Sequence, residues 1–175
     1  MTRITGLEDL FWDRLAEMRD AESKLAKALP LVGKAAKGAD LKEVVKIHTG
    51  ETKNHVKAID QVAESRDRKL AKVKSSAMNG LIEEAVAAIL AQHGSPHIDD
   101  ILIAVALRIE HFEIASYGTL CAWADKLGYE HERTLLESNL GQEKLAETVL
   151  TGLAAHEAPL PELIRKIEKR IAPRS

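Results

Sequence analysis

Between Asp99 and Lys126 the chain carries no proline, and its apolar residues return at alternating steps of three and four. That period belongs to a helix with one buried face. The face reads Ile103, Ala106, Glu110, Glu113, Tyr117, Leu120, Ala124 and Leu127, so two carboxylates stand where a bundle helix places apolar side chains. A carboxylate buried without a partner is very costly, so each must be protonated, ion-paired or bound to a metal. The segment therefore demands other helices packed around it, and demands that they answer two buried acids.

The rest of the chain repeats the pattern. A first helix is predicted from Thr5, with Glu8 completing a capping box, and its seam is Phe11, Leu15, Met18, Glu22, Leu25 and Leu29. Pro30 is expected to kink it, with Gly38 near its end and Asp40 as the next N-cap. A second helix, from about Leu41 to Ser65, has the seam Leu41, Val44, His48, Glu51, His55, Ala58 and Val62. Three metal-ligand types thus occupy consecutive turns. Gly50 inside this helix costs about 1 kcal/mol against alanine. The charged stretch Arg66 to Ser76 reads as a solvated connector. A shorter helix with Glu83 and Glu84 is expected from about Ala77 to Gln92, ended by His93-Gly-Ser-Pro96. After the turn Leu127-Gly-Tyr129, a fourth long helix runs from about Glu130 to His156. Its seam is Leu136, Leu140, Glu143, Glu147, Leu150 and Ala154. Pro159 and Pro161 break it, and Glu162 to Ile171 is expected to form a short last helix.

Composition supports helices and narrows the function. Aromatic residues make up 3% of the 175 positions, and alanine, leucine, glutamate and lysine are abundant. The length suits a single domain, 1–175, with a bundle over about 5–157 and a tail over 158–175. A net charge of −2 implies no pull toward nucleic acid or an anionic membrane. Cys121 is the one cysteine, which suits a reducing compartment, and no transmembrane span or signal-like apolar run is evident. A cytoplasmic location is expected.

Topology follows from loop lengths. The first and second long helices have a short connection, as do the third and fourth, so each pair should form an antiparallel hairpin. The connection between the second and third holds its own helix and can cross the length of a bundle. The expected fold is all-α, a ferritin-like four-helix bundle with one long crossover. In that arrangement Glu22, Glu51, His55, Glu110, Glu113 and Glu143 all lie about 12 to 17 residues from one end, within roughly 8 Å of depth at the helical rise. Carboxylates from four helices converge at mid-bundle. Cations must offset their repulsion, and two divalent metals held by bridging carboxylates would do so.

The histidines depart from the usual di-iron bundle pattern of Glu-x-x-His on two helices. The chain instead has His48-Thr-Gly-Glu51, Glu110-His-Phe-Glu113 and Glu143-Lys-Leu-Ala146. Together with Ala21-Glu22, Met78-x-Gly-Leu-Ile-Glu-Glu84, Glu110-His-x-Glu-Ile-Ala-Ser-Tyr-Gly-Thr-Leu120 and Leu127-Gly-Tyr129, the His48-x-x-Glu51-Thr52 motif resembles the bacterial YciE/YciF family of ferritin-like, stress-associated proteins. The resemblance runs from about Leu7 to His156. It implies a rubrerythrin- and ferritin-related fold and a metal pair, with Glu22, His48, Glu51, Glu110, Glu113 and Glu143 as ligands. His55 lies outside the matching motif and ranks below His48. The resemblance implies no substrate.

Other polar residues carry blander expectations. His111 points about 100° away from Glu110 and should pack or hydrogen-bond. Glu147 reads as a solvated end of its seam, Glu83 and Glu84 as exposed or partner-facing, Tyr117 as a core tyrosine and Cys121 as a small buried hydrophobe. The leading functional expectation is a site for two divalent ions. Iron is expected, with manganese and zinc as alternatives, and the chemistry would be reduction of O2 or peroxide coupled to metal oxidation. The alternatives are a bundle in which metal is only structural, and a mini-ferritin-like iron store. Whether the chain is an enzyme stays open. A second apolar stripe, Leu102, Val105, Ile109 and Phe112, could be covered by the crossover helix or by another chain, and a homodimer is expected.

Overall fold

The structure, a computed structural model, describes residues 4–171, with side chains to 165. The parts of the expected domain at 1–3 and 172–175 lie outside the described residues. The order of elements is α1 (Leu7–Ala35), α2 (Ala39–Glu64), α3 (Ser76–Ala91), α4 (Ile98–Lys126), α5 (Glu130–Ala154) and α6 (Leu160–Ile171). All are helices. None among the described residues is long and apolar enough to cross a membrane.

Contacts at the two ends fix the direction of each long helix. At one end, the Asp99 carboxylate at the start of α4 accepts hydrogen bonds from Lys37 N at 2.7 Å and Gly38 N at 2.6 Å. These are the otherwise unpaired amides of the α1–α2 turn. Lys37 Nζ donates to the Gly94 and Ser95 carbonyls, and beyond α5 Leu160 N donates to Asp40. At the other end, Arg66 after α2 pairs with Glu132 at the start of α5, Arg68 pairs with Glu8 of α1, and Phe11 packs edge-on against Tyr129. So α2 and α4 run parallel, α1 and α5 run the other way, and α3 carries the chain back between the ends. The single-crossover ferritin-like order is present.

Local details shift from expectation. Gly6 is the N-cap of α1, and Thr5 instead donates from its N and Oγ1 to Asp9. Glu8 turns to Trp12 and Arg68, so no capping box forms. Pro30 sits inside α1, which continues to Ala35. Gly50 faces open space, so no close approach explains it. The connector from Arg66 is partly tied down, because Arg66 and Ser65 both donate to buried Glu132 and Arg66 also stacks 3.9 Å over the Tyr129 ring. The Ser75 hydroxyl caps α3 by accepting from Met78 N, and Ser75 N donates to Asp20 of α1. Leu102, Val105 and Ile109 are buried with α3 packed on α4, so most of the stripe that motivated a second chain is covered within this one, and Phe112 at its end is half-buried.

The seams of α1 and α4 are buried as read, except that Ala106 and Leu127 are half-buried. Those of α2 and α5 are rotated. In α2, Thr52 and Ile59 are buried, while Glu51 and Ala58 are half-buried. In α5, Asn139 and Ala146 replace Leu140 and Glu147 in the core.

Candidate metal centre

Each of the four bundle helices brings acid or imidazole to one level of the core. Glu22 comes from α1, His48 and His55 from α2, Glu110 and Glu113 from α4 and Glu143 from α5. None is more than 4% exposed. Their spacing follows from helix geometry: His48 and His55 are seven apart, two turns, on the same face of α2.

The ligand atoms form two groups, each with all members within 4.8 Å of one another. One holds His48, Glu110, Glu113 and Glu143, and the other holds Glu22, His55 and Glu143. Glu143 belongs to both. His48 Nε2 lies 3.4 Å from Glu110 and 3.9 Å from Glu143, while His55 Nδ1 lies 2.9 Å from Glu143 and 3.3 Å from Glu22. These approaches lack hydrogen-bond alignment. Among the described residues, every buried side-chain nitrogen or oxygen without a hydrogen-bond partner belongs to these six residues, apart from Arg133 Nε. Buried polar atoms are normally paired, so a concentration of unpaired ones marks a place built for something else.

Neighbours orient the ligands. The Gln142 Oε1 oxygen, an acceptor, lies 2.7 Å from His55 Nε2 and places the ring hydrogen there, leaving Nδ1 toward the carboxylates. Tyr117 donates its hydroxyl hydrogen to Glu22 Oε1, and Asn139 Nδ2 donates to Tyr117 Oη at 3.1 Å. Glu22 Oε2 is left free. Thr52 turns its hydroxyl back to the His48 carbonyl at 2.7 Å.

Without cations the cage holds protons. Burial raises the Glu110 carboxyl to about 8, with the Glu143 charge adding and His48 partly offsetting. Burial and the charges of Glu22, Glu143 and Glu110 push Glu113 well above the carboxylate range. Burial likewise raises Glu22, against the pull of His55. For the histidines burial opposes the charge, yet the surrounding carboxylates prevail. Glu110, Glu51 and Glu143 lift His48 to about 9, and Glu143 and Glu22 lift His55 to about 10. Divalent ions are the alternative answer to the same repulsion.

Of the residues named from sequence, Glu22, His48, Glu110, Glu113 and Glu143 come together. Glu51 does not join either group: its side chain is 26% exposed and its Oε2 stands 3.6 Å from His48 Nδ1, on the outer side of that ring. His55, ranked lower from sequence, lies inside. His111 is exposed, and Glu147 turns to Thr148 and Thr151. Asn139 and Gln142 were not anticipated. The signal for Asn139 was a polar residue four before Glu143 on α5, legible only once the rotated seam is chosen.

A family model described as a domain of unknown function (DUF892) matches residues 6–160. The chain belongs to this family. It is 40% identical to protein YciF of Escherichia coli (strain K12) over 149 residues, covering 85% of this chain and 90% of that one. The crystal structure of the E. coli stress protein YciF matches with a TM-score of 0.84 at 38% identity, over 87% of this chain and 96% of that chain. YcfI, a putative structural protein from Rhodopseudomonas palustris, matches with a TM-score of 0.82 at 36% identity, over 86% of this chain and 97% of that chain. The YciE/YciF resemblance read from the motifs is therefore borne out, and the YciF crystal structure shares the helical bundle described above.

Proposed function

We propose that the chain binds two divalent metal ions, iron by expectation, in the cage shared by Glu22, His48, His55, Glu110, Glu113 and Glu143. The observation that carries this is the pair of ligand groups joined at Glu143, with their inward atoms otherwise unpaired. A carboxylate with two free oxygens can bridge two ions, and hard oxygen donors with imidazole suit iron or manganese. Glu51 stands outside both groups, and its role is to orient His48 from the outer nitrogen or to join as a ligand.

Two ferrous ions, when bound, can supply the two electrons that reduce hydrogen peroxide and two protons to two waters, each ion becoming ferric. The chain's own residues prepare for this. Gln142 accepts from His55 Nε2 and so leaves Nδ1 as the nitrogen that would take a metal once its proton is displaced, Tyr117 and Asn139 hold the Glu22 carboxylate with one oxygen free, and the aliphatic shell keeps bulk water out. A groove of about 200 Å³ between α2, α5 and α6 has Glu51, Gln142 and His48 as its polar lining, and it is the entry this reading gives to ions and polar oxidants. Metal analysis of chain purified without chelator tests the centre. Two equivalents are expected in the wild type and neither in a Glu110→Ala/Glu143→Ala double variant; unchanged content in the variant would sink the assignment. Failure of added Fe(II) to oxidise under O2 or peroxide would remove the redox role.

A metal that only fastens the helices is the second reading, favoured by the description of the R. palustris relative as a putative structural protein. Unfolding on chelation without any peroxide turnover would support it. A homodimer is the expected assembly, with half-buried Phe112 and Trp123 in a shallow groove against α1 as the face. Light scattering at micromolar concentration tests that, and a cage of twelve or more chains would instead favour the iron store.

A further inference from the structure

His48 and Glu110, which belong to one ligand group, also line a separate cavity of about 30 Å³. Leu25, Leu102 and Val105 form its aliphatic wall, and the crossover helix α3 lines it with Ile82 and Ala85. Every other residue around it is apolar. A cavity this size has room for a molecule about as large as water, but water needs two to four polar partners. Here only His48 and Glu110 carry any, and their polar atoms are gathered into the cage. Apolar cavities of this kind stay dry and accept apolar guests. Peroxide would lose its hydrogen bonds to water without replacement and is disfavoured.

We propose that this cavity is a binding site for dioxygen, an apolar diatomic, beside the metal centre. The inference deepens the redox function proposed above and rests on it. It separates two oxidants by route: dioxygen waits in the dry cavity behind α3, and peroxide uses the polar-ended groove at Glu51. Half-buried Val32, Ile82 and Ala106 form the outer part of the cavity wall, where a guest would pass between α1, α3 and α4.

Xenon is the probe. Crystals of the full chain pressurised with xenon should show an atom in this cavity, and Ala106→Leu, which fills it from α4, should show none. In iron-loaded protein, Ala106→Leu should slow Fe(II) oxidation by dioxygen about tenfold, leaving metal content and oxidation by hydrogen peroxide unchanged. Ala28→Leu makes the same test from α1 if Ala106→Leu does not fold. An empty cavity under xenon in a chain that binds metal overturns the dioxygen site alone. Xenon in a chain that takes up no metal sinks the two-metal centre, and the dioxygen role with it. A filled cavity that leaves the dioxygen rate unchanged, or slows both oxidants equally, also overturns the proposal.

Discussion

His55 Nδ1 stands 2.9 Å from Glu143 Oε1 across the α2–α5 interface without hydrogen-bond alignment, and Glu143 faces His48 with its other oxygen. One carboxylate thus joins two histidines two turns apart. In the metal-free chain this is a proton-laden ion cluster. In the proposed loaded chain it is the shared ligand. Glu143→Ala should therefore abolish binding of both ions, where loss of a ligand to one ion would spare the other. Metal content by elemental analysis, with circular dichroism to confirm the fold, checks this.

Glu113 separates metal affinity from packing. Both its oxygens are unpaired, and burial with three neighbouring carboxylates pushes its carboxyl well above the usual carboxylate range, toward the protonated form. Glu113→Gln keeps the shape and the neutral state. Metal-free stability at pH 7 should fall by no more than about 1–3 kcal/mol, the cost of one unpaired buried polar group, while the rise in melting temperature on adding metal should shrink. A large loss of metal-free stability would show that Glu113 is charged in the fold.

Metal-free protein should lose stability as pH rises. His48 and His55 titrate at about 9 and about 10 in the fold, against an ordinary 6.5. Their stabilisation is full below 6.5 and is lost as pH rises through the folded values, because the folded chain binds more protons than the unfolded one. Glu110, raised to about 8, has the same sign, its cost growing from 4.5 upward. The denaturant midpoint in chelator should be lower at pH 10 than at pH 6. Metal should reverse the trend, since cations displace those protons more easily as pH rises.

At the far end the sign inverts. Hydrogen bonds from Arg66, joined by Ser65 and set against burial, hold the Glu132 carboxyl at about 2. Its contribution is present above the ordinary 4.5 and is lost as pH falls through about 2. Glu132→Gln should cost about 1–3 kcal/mol at pH 7, and the difference from wild type should narrow toward pH 2. Urea titrations at both pH values read this out.

Asp99 ties the α1–α2 turn to the start of α4, and a Cβ added at Gly38 would meet Asp99 Oδ2 at 2.8 Å. Asp99→Ala should cost about 1–2 kcal/mol, the usual loss when a capping side chain is removed. Thermal melts of Asp99→Ala and Gly38→Ala should show the same direction, with metal content unaffected.

Much of the fold was legible because helix seams, breakers and loop lengths are local features. The long connection from Arg66 to Pro96 announced the crossover, and Glu22, Glu110 and Glu113 were visible as acids inside unbroken apolar stripes. The roles of His55, Asn139 and Gln142 were hidden because each is defined by a contact on another helix or another turn. The Arg66–Glu132 pair was hidden for the same reason: 66 residues separate the partners, and an arginine in a basic connector gives no local sign of what it meets.

The sequence by itself determined that this chain is a bundle of long helices with acids at matching depth in its core. It left the rotation of two helices undecided. From His48 the next seam position is Glu51 or Thr52, and from Leu136 it is Asn139 or Leu140. At 100° per residue, steps of three and four fall on either side of the starting direction, so periodicity admits both. Only the tertiary structure chose Thr52 and Asn139, turning Glu51 outward while His55 stays inward under either choice. The choice belongs to the neighbouring helices, because burial of a side chain is set by what packs against it.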